Sequence, residues 1–241
     1  MAAITPNTLH RREYKYLVDE DTVELVRRYI DGICTVDPHA ERTGGRYLTD
    51  TLYLDTPQLH SYWSTVEDAG DRYKLRIRTY PSLGVGPVFL EVKRRVSESV
   101  LKTRGMFRGP WDQLLTHTTP ALVDAIEPKQ RRAIDNFLCF YHRSAMSAST
   151  LVRYEREPYF SQIDEYARVT FDRNVSSQRG LSRTASSVLL ELKFTNLVPG
   201  WMRGMVHTLG LQRLAFCKYT RSIESLRAMP TARIARAGFW R

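Results

Sequence analysis

Lys74, Arg76 and Arg78 stand two residues apart, and the residues between and before them are Tyr73, Leu75 and Ile77. Alternate side chains share one face of a β-strand, so this stretch offers one cationic and one apolar face. The pattern returns elsewhere. Glu13 and Lys15 oppose Tyr14 and Tyr16, Glu91 and Lys93 oppose Leu90 and Val92, and Glu191 and Lys193 oppose Leu190 and Leu192. Arg168, Thr170 and Asp172 oppose Val169 and Phe171, and Arg153 and Glu155 oppose Val152 and Tyr154. The solvent face of a half-exposed sheet explains any one of these strands. Taken together, Arg and Lys dominate and Glu is interleaved with them. If the charged faces turned inward, each charge would need a partner or a ligand. A ring of Lys and Arg with a few carboxylates suits a phosphate chain and one hard cation. The cations take phosphate oxygens, and the carboxylates hold the metal through oxygen.

The 241 residues carry 36 Lys+Arg against 26 Asp+Glu, a formal net charge of +10, which favours anionic partners. Carboxylates alternating with cations would repel a nucleic-acid backbone, so nucleic acid is not the expected partner. Cys34, Cys139 and Cys217 are distant and odd in number, which argues against a disulfide framework and for a reducing, cytoplasmic location. Met1 to Leu9 has no signal-peptide pattern, and no apolar run is long enough for a transmembrane helix. The histidines show no zinc spacing, and neither a P-loop nor a Gly-x-Ser-x-Gly nucleophile motif occurs.

The elements that must position these faces follow from periodicity. Strands are expected near 11–18, 46–54, 71–80, 87–95, 99–104, 149–160, 166–175 and 187–194. Asp19 can cap a helix bearing Val23, Val26 and Ile30, Thr56-Pro57 can open a short one, and a long helix is expected over 119–142. Two more follow, one opened by Pro199 and one near 218–228. Ser82 to Pro87 reads as a hairpin turn, Ser176 to Ser187 as a loop, and 230–241 as a basic tail beyond a domain covering 1–229. The fold class is α+β: an eight-stranded antiparallel β-tunnel, closed or nearly closed into a barrel, with helices packed outside.

At these strands the sequence resembles the VTC domain family of polyphosphate polymerases, within the triphosphate tunnel metalloenzyme superfamily. The segments that carry the resemblance are Arg12-Glu13-Tyr14-Lys15-Tyr16, Tyr53-Leu54-Asp55-Thr56, Lys74-Leu75-Arg76-Ile77-Arg78, Glu91-Val92-Lys93, Arg153-Tyr154, Arg168-Val169-Thr170-Phe171-Asp172, Leu190-Glu191-Leu192-Lys193 and Lys218-Tyr219. The resemblance implies metal-dependent transfer of the ATP γ-phosphate to a growing polyphosphate. It implies phosphate binding by Lys15, Lys74, Arg76, Arg78, Lys93, Lys102, Arg153, Arg168 and Lys193. Glu191 would hold Mn²⁺ or Mg²⁺, with Glu13 and Glu91 as further candidate ligands. Lys218 and Arg221 would occupy the positions of a catalytic lysine pair, Arg221 being a departure. The hydrolytic and cyclase-like branch carries Glu-x-Glu-x-Lys on its first strand, whereas Arg11, Glu13 and Lys15 stand here. That points to the polymerase-like branch and a single metal. ATP, triphosphate or polyphosphate are the expected partners, together with a membrane protein that would place the chain at the inner face of a membrane. A triphosphatase of the same fold, or a non-catalytic module binding polyphosphate or an inositol phosphate, are the alternatives.

Overall fold

The structure, a computed structural model, describes residues 11–81, 86–97, 99–116, 119–177 and 187–227. The expected first-residue segment, the tip of the 82–87 turn, most of the 176–187 loop and the 230–241 tail lie outside these residues. In chain order the elements are β1 (Arg11–Val18), α1 (Glu20–Ile30), β2 (Cys34–Val36), α2 (Pro38–Glu41), β3 (Tyr47–Asp55), α3 (His60–Val66), β4 (Asp71–Thr79), β5 (Val88–Val96) and β6 (Ser99–Phe107). They continue with α4 (Trp111–Thr116), α5 (Pro120–Asp124), α6 (Pro128–Arg143), β7 (Ser147–Ser161), β8 (Arg168–Ser177), β9 (Val188–Thr195), α7 (Gly200–Thr208) and α8 (Lys218–Arg227).

Local chemistry sets the ends of these elements. The Asp19 carboxylate accepts from Thr22 N–H at 2.8 Å and caps α1. The long helix expected over 119–142 is two helices. Pro128 disfavours a helical conformation at Glu127, which sits at φ −55°, ψ 132°, so α5 stops and α6 starts anew. The helix expected from Thr56-Pro57 begins only at His60. The Asp55 carboxylate first gathers the N–H groups of Thr56 and Ser61 at 2.8 Å and Tyr62 at 3.1 Å. The short β2, α2 and α4 were not expected, because elements of three to six residues carry too little periodicity to be read.

The strands pair antiparallel in the order β1-β9-β8-β7-β3-β4-β5-β6, with β2 beside β7. This is a curled sheet and not a closed barrel, since β1 and β6 form the two ends of the path without pairing. The free edge of β1 is covered by irregular chain. Leu214 N–H donates to Lys15 O at 2.9 Å, and Tyr16 forms an isolated bridge with Arg213.

Two apolar layers lie outside the sheet. Val23, Val26 and Ile30 of α1 and Met202 and Met205 of α7 pack on Tyr16, Val169, Phe171, Leu190 and Leu192. Ile134 and Phe137 of α6 and Leu114 of α4 pack on Leu75, Ile77, Leu90 and Val92. Full burial of each such side chain is worth roughly 1.5–3 kcal/mol. Gly105 allows α6 its close approach to β6, because a Cβ there would lie 2.6 Å from Ile134 Cγ1. The third cluster corrects the expectation that every helix packs outside. Tyr219 and Ile223 of α8 join Tyr53, Val152 and Tyr154, whose side chains share the inner face of the sheet. Tyr219 lies 5.0 Å from Tyr53, ring to ring, and its hydroxyl donates to the Asp55 carboxylate. Thr150 and Ser222 hydroxyls meet at 2.7 Å. Thus α8 packs on the concave side of the sheet, against the end of β3 and the start of β7.

Candidate functional site

The curled sheet encloses a cavity of about 1810 Å³. Its lining follows from register. Arg76 stands opposite Glu91 between β4 and β5, and Glu91 opposite Arg104 between β5 and β6. One step along, Lys74, Lys93 and Lys102 form the next row. On the other wall Lys15 stands opposite Glu191 and Glu191 opposite Thr170, while Glu13 stands opposite Lys193 and Lys193 opposite Arg168. Alternation in the strands therefore brings these charges to one concave surface.

Each inward carboxylate is held by cations. Glu91, 0% exposed, lies 2.6 Å from Arg76 Nε and from Lys102 Nζ, 3.4 Å from Arg104 and 3.9 Å from Arg78. Burial alone would raise its pKa, but Arg76, Arg78 and Lys102 overcome it and hold the group well below the usual carboxylate range. The cost falls on Lys102, which burial and the neighbouring Arg76 push down to about 7.

A second cluster sits where α8 meets the opposite wall. Arg156 grips both oxygens of Asp172 at 2.7 Å and reaches Glu191 at 3.3 Å. Lys218 lies 2.6 Å from Asp172 and 2.8 Å from Glu191, and Lys193 lies 2.7 Å from Glu191. Burial disfavours the charge on Lys218, but Asp172 and Glu191 outweigh it and raise its pKa above the ordinary lysine value. Burial opposes ionisation of Glu191 too, yet Lys193, Lys218 and Arg156 keep it ionised. Glu13, more open, pairs with Lys93 of β5 at 3.0 Å.

Of the residues singled out from sequence, Lys15, Lys74, Arg76, Arg78, Lys93, Lys102, Arg168, Lys193, Lys218, Glu13 and Glu191 line the cavity. Lys15 donates to Phe216 O at 2.7 Å, fixing the chain that leads into α8. Lys74 is pushed down by burial and lies in the field of Cys217. Arg168 stands at one mouth, its guanidinium 4.4 Å from the Phe160 ring. Glu91 is sequestered beneath four cations. Arg221 lines the α8 end, but its side chain is 56% exposed and pairs with Glu224 at 3.5 Å, apart from the Lys218 cluster.

Arg153 is a correction. It points to the outer face, 53% exposed, and forms two bonds to Asp50 at 2.6–2.7 Å. The inward members of β7 are Val152, Tyr154 and Arg156. Both faces of this strand are charged, because outside it Glu157 binds Arg27, Arg46 and Arg173. The rule that charges mark the inner face therefore fails here. Arg156 and Arg104 are site residues that the sequence pattern does not single out, and Asp172, placed on the charged face of its strand, is given no role by it. Arg156 and Tyr154 share their strand face with Val152, a signal too ambiguous to choose a side.

The resemblance seen in the sequence implies a divalent cation. Hard cations take oxygen ligands, and one or two carboxylates suffice when substrate phosphates supply the rest. Glu191 and Glu13, on neighbouring strands and both facing the lumen, fit that donor set. Glu91 does not, because it is fully buried beneath its cations and, unlike Glu191 and Glu13, does not line the cavity. Among the described residues no group of three or more His, Cys, Asp or Glu gathers to form an all-protein metal site.

The curled antiparallel sheet with an inward-facing charged lining is a triphosphate-tunnel fold. A Bacillus halodurans protein described as a candidate adenylate cyclase matches with a TM-score of 0.52 and 12% identity, over 87% of this chain and 93% of the other. A Vibrio parahaemolyticus protein of the same description gives 0.50 and 12%, over 88% and 97%. A Hippeastrum protein, described as a candidate adenylyl cyclase with dominant triphosphatase activity, gives 0.53 and 16%, over 88% and 96%. No curated protein sequence matches the chain. The VTC domain profile matches residues 10–227, and the chain belongs to the VTC domain family. Family and fold define a phosphate-handling tunnel protein. Among the described residues no helix is long and apolar enough to cross a membrane.

Proposed function

We propose that the chain is a metal-dependent polyphosphate polymerase, which moves the γ-phosphoryl group of ATP onto phosphate or the end of a polyphosphate chain inside the tunnel. The observation that carries this reading is the convergence of Arg76, Lys93, Lys102, Lys193 and Lys218 on one lumen of about 1810 Å³. That volume exceeds the roughly 300–1,000 Å³ of a small-molecule pocket and suits an extended polyanion. Phosphoryl transfer breaks the bond from the γ-phosphorus to the bridging oxygen of ADP and forms one to the acceptor oxygen. It needs positioning and charge neutralisation more than covalent chemistry. Arg76, Lys93 and Lys193 neutralise phosphate oxygens. Lys218, kept cationic by Asp172 and Glu191, donates hydrogen bonds to developing charge and does not act as a base. Glu191 and Glu13 would hold the cation, Mn²⁺ or Mg²⁺, which when bound polarises phosphate oxygens.

The same residues would serve a triphosphatase in which water replaces the acceptor, and the description of the Hippeastrum neighbour favours it as the second reading. Purified chain incubated with ATP and Mn²⁺ or Mg²⁺, followed by ³¹P NMR and gel electrophoresis, separates them. The polymerase yields ADP and polymer. Phosphate without polymer establishes the triphosphatase, and tight binding without product establishes a binding module. Glu191→Gln and Arg76→Ala should each lower turnover by about 100-fold or more. Unchanged turnover in both would refute the site.

A further inference from the structure

The two ends of the tunnel differ in chemistry. Toward the end where α8 packs, the lining includes the Lys74, Lys93 and Lys102 row and Lys218, and the aromatic ring there, Tyr53, is covered by Tyr219. At the opposite mouth, four aromatic rings occupy lumen-facing positions. Phe89 stands opposite Arg78, Tyr47 opposite Arg156 and Phe160 opposite Arg168 in the strand registers, and Tyr80 follows the end of β4. All four line the cavity. Tyr80 packs edge-on against Tyr47 at 5.4 Å and at 68° to Phe89 at 5.6 Å, so these three rings form a continuous wall, while Phe160 stands apart with the Arg168 guanidinium 4.4 Å from its ring.

Arg104 marks the junction between wall and barrel. Its guanidinium carbon lies 3.7 Å from the centre of the Phe89 ring, it donates to the Tyr80 hydroxyl at 3.1 Å, and it lies 3.4 Å from Glu91. A bare phosphate chain gains nothing from aromatic faces. A flat π-system attached to a phosphate chain gains from both, because bases stack on aromatic side chains and on guanidinium planes.

Resting on the phosphate-tunnel reading, we propose that the Tyr47, Tyr80, Phe89 and Phe160 mouth is a nucleobase subsite. It fixes the polarity of the substrate: the base of a nucleoside triphosphate stays at the aromatic mouth, and its terminal phosphate points toward Lys218 and α8. Stacking is sequence-tolerant, so ATP and CTP both qualify as ligands. Inorganic tripolyphosphate uses the cationic barrel alone.

Calorimetric titration of the whole chain with ATP and, separately, with tripolyphosphate tests this. Phe89→Leu and Tyr80→Leu keep apolar bulk while removing a ring face. Each should weaken ATP binding by about tenfold, the range for loss of one stacked base. Tripolyphosphate binding should stay within twofold of wild type, which also shows that the variants fold. Equal losses for both ligands, or no loss for ATP, overturn the subsite while leaving the tunnel standing. Binding of neither ligand by the wild-type chain overturns the tunnel reading and this one together.

Discussion

Lys102 and Glu91 show what confinement does to single groups. Burial beside Arg76 brings Lys102 down to about 7, although it touches the Glu91 carboxylate at 2.6 Å. Below that pH it is charged before any ligand arrives. Above it, an incoming polyanion must draw a proton onto it, so affinity falls as pH rises from 7 toward 9. Tripolyphosphate titrations in two buffers of different ionisation enthalpy should reveal proton uptake in this window. Lys102→Arg, charged throughout, should flatten the decline relative to wild type. Glu157, on the outer face, shows the opposite sign. Burial resists its charge, but Arg27, Tyr159 and Arg173 hold it down at about 2. The stability it confers is complete above the ordinary glutamate range and is lost as pH falls toward 2. Glu157→Gln leaves Arg27, Arg46 and Arg173 without their shared partner. It should cost about 3–5 kcal/mol in urea denaturation at pH 7, a difference that shrinks toward pH 2.

Helix α8 is the element that packs on the concave side of the sheet. It is tied to β3 and α3 through one buried carboxylate, since Asp55 receives the Tyr219 hydroxyl as well as N–H groups from the start of α3. Tyr219→Phe leaves that acceptor short of a donor and should destabilise the chain by about 1–3 kcal/mol, read from urea midpoints. The strands were legible in the sequence because their apolar faces alternate cleanly under α1, α6 and α7. The inward position of α8 was not. Its apolar residues Tyr219 and Ile223 read equally well as packing on the outside, and only the partners Tyr53, Val152 and Tyr154 decide. The outward turn of Arg153 was hidden for a related reason. β7 is bulged and charged on both faces, so alternation alone cannot say which face is concave. Most of the cationic lining was readable from Lys74, Arg76, Arg78, Lys93 and Lys193. Arg156, and the role of Asp172, were not readable because their importance lies in cross-strand partners and in Lys218, far away in sequence.

For the molecule as a whole, the chain carries a net charge of +10 and its sheet curls without closing. Polyanion binding should weaken steeply with added salt, and a van 't Hoff-free measure, the slope of log affinity against log salt, checks it. Yet the lumen is not a bare cationic field. Glu91 lies under four cations, and Glu191 and Asp172 share Arg156 and Lys218. The tunnel thus behaves as an ion exchanger already loaded with its own counterions. These tethered carboxylates keep the empty protein from bursting under self-repulsion, and a phosphate chain enters by taking over their contacts. Glu91→Gln should therefore lower the melting temperature of the empty protein, while tripolyphosphate raises it by more in the variant than in wild type. Stability at rest and affinity for guests are set against each other by the same glutamate.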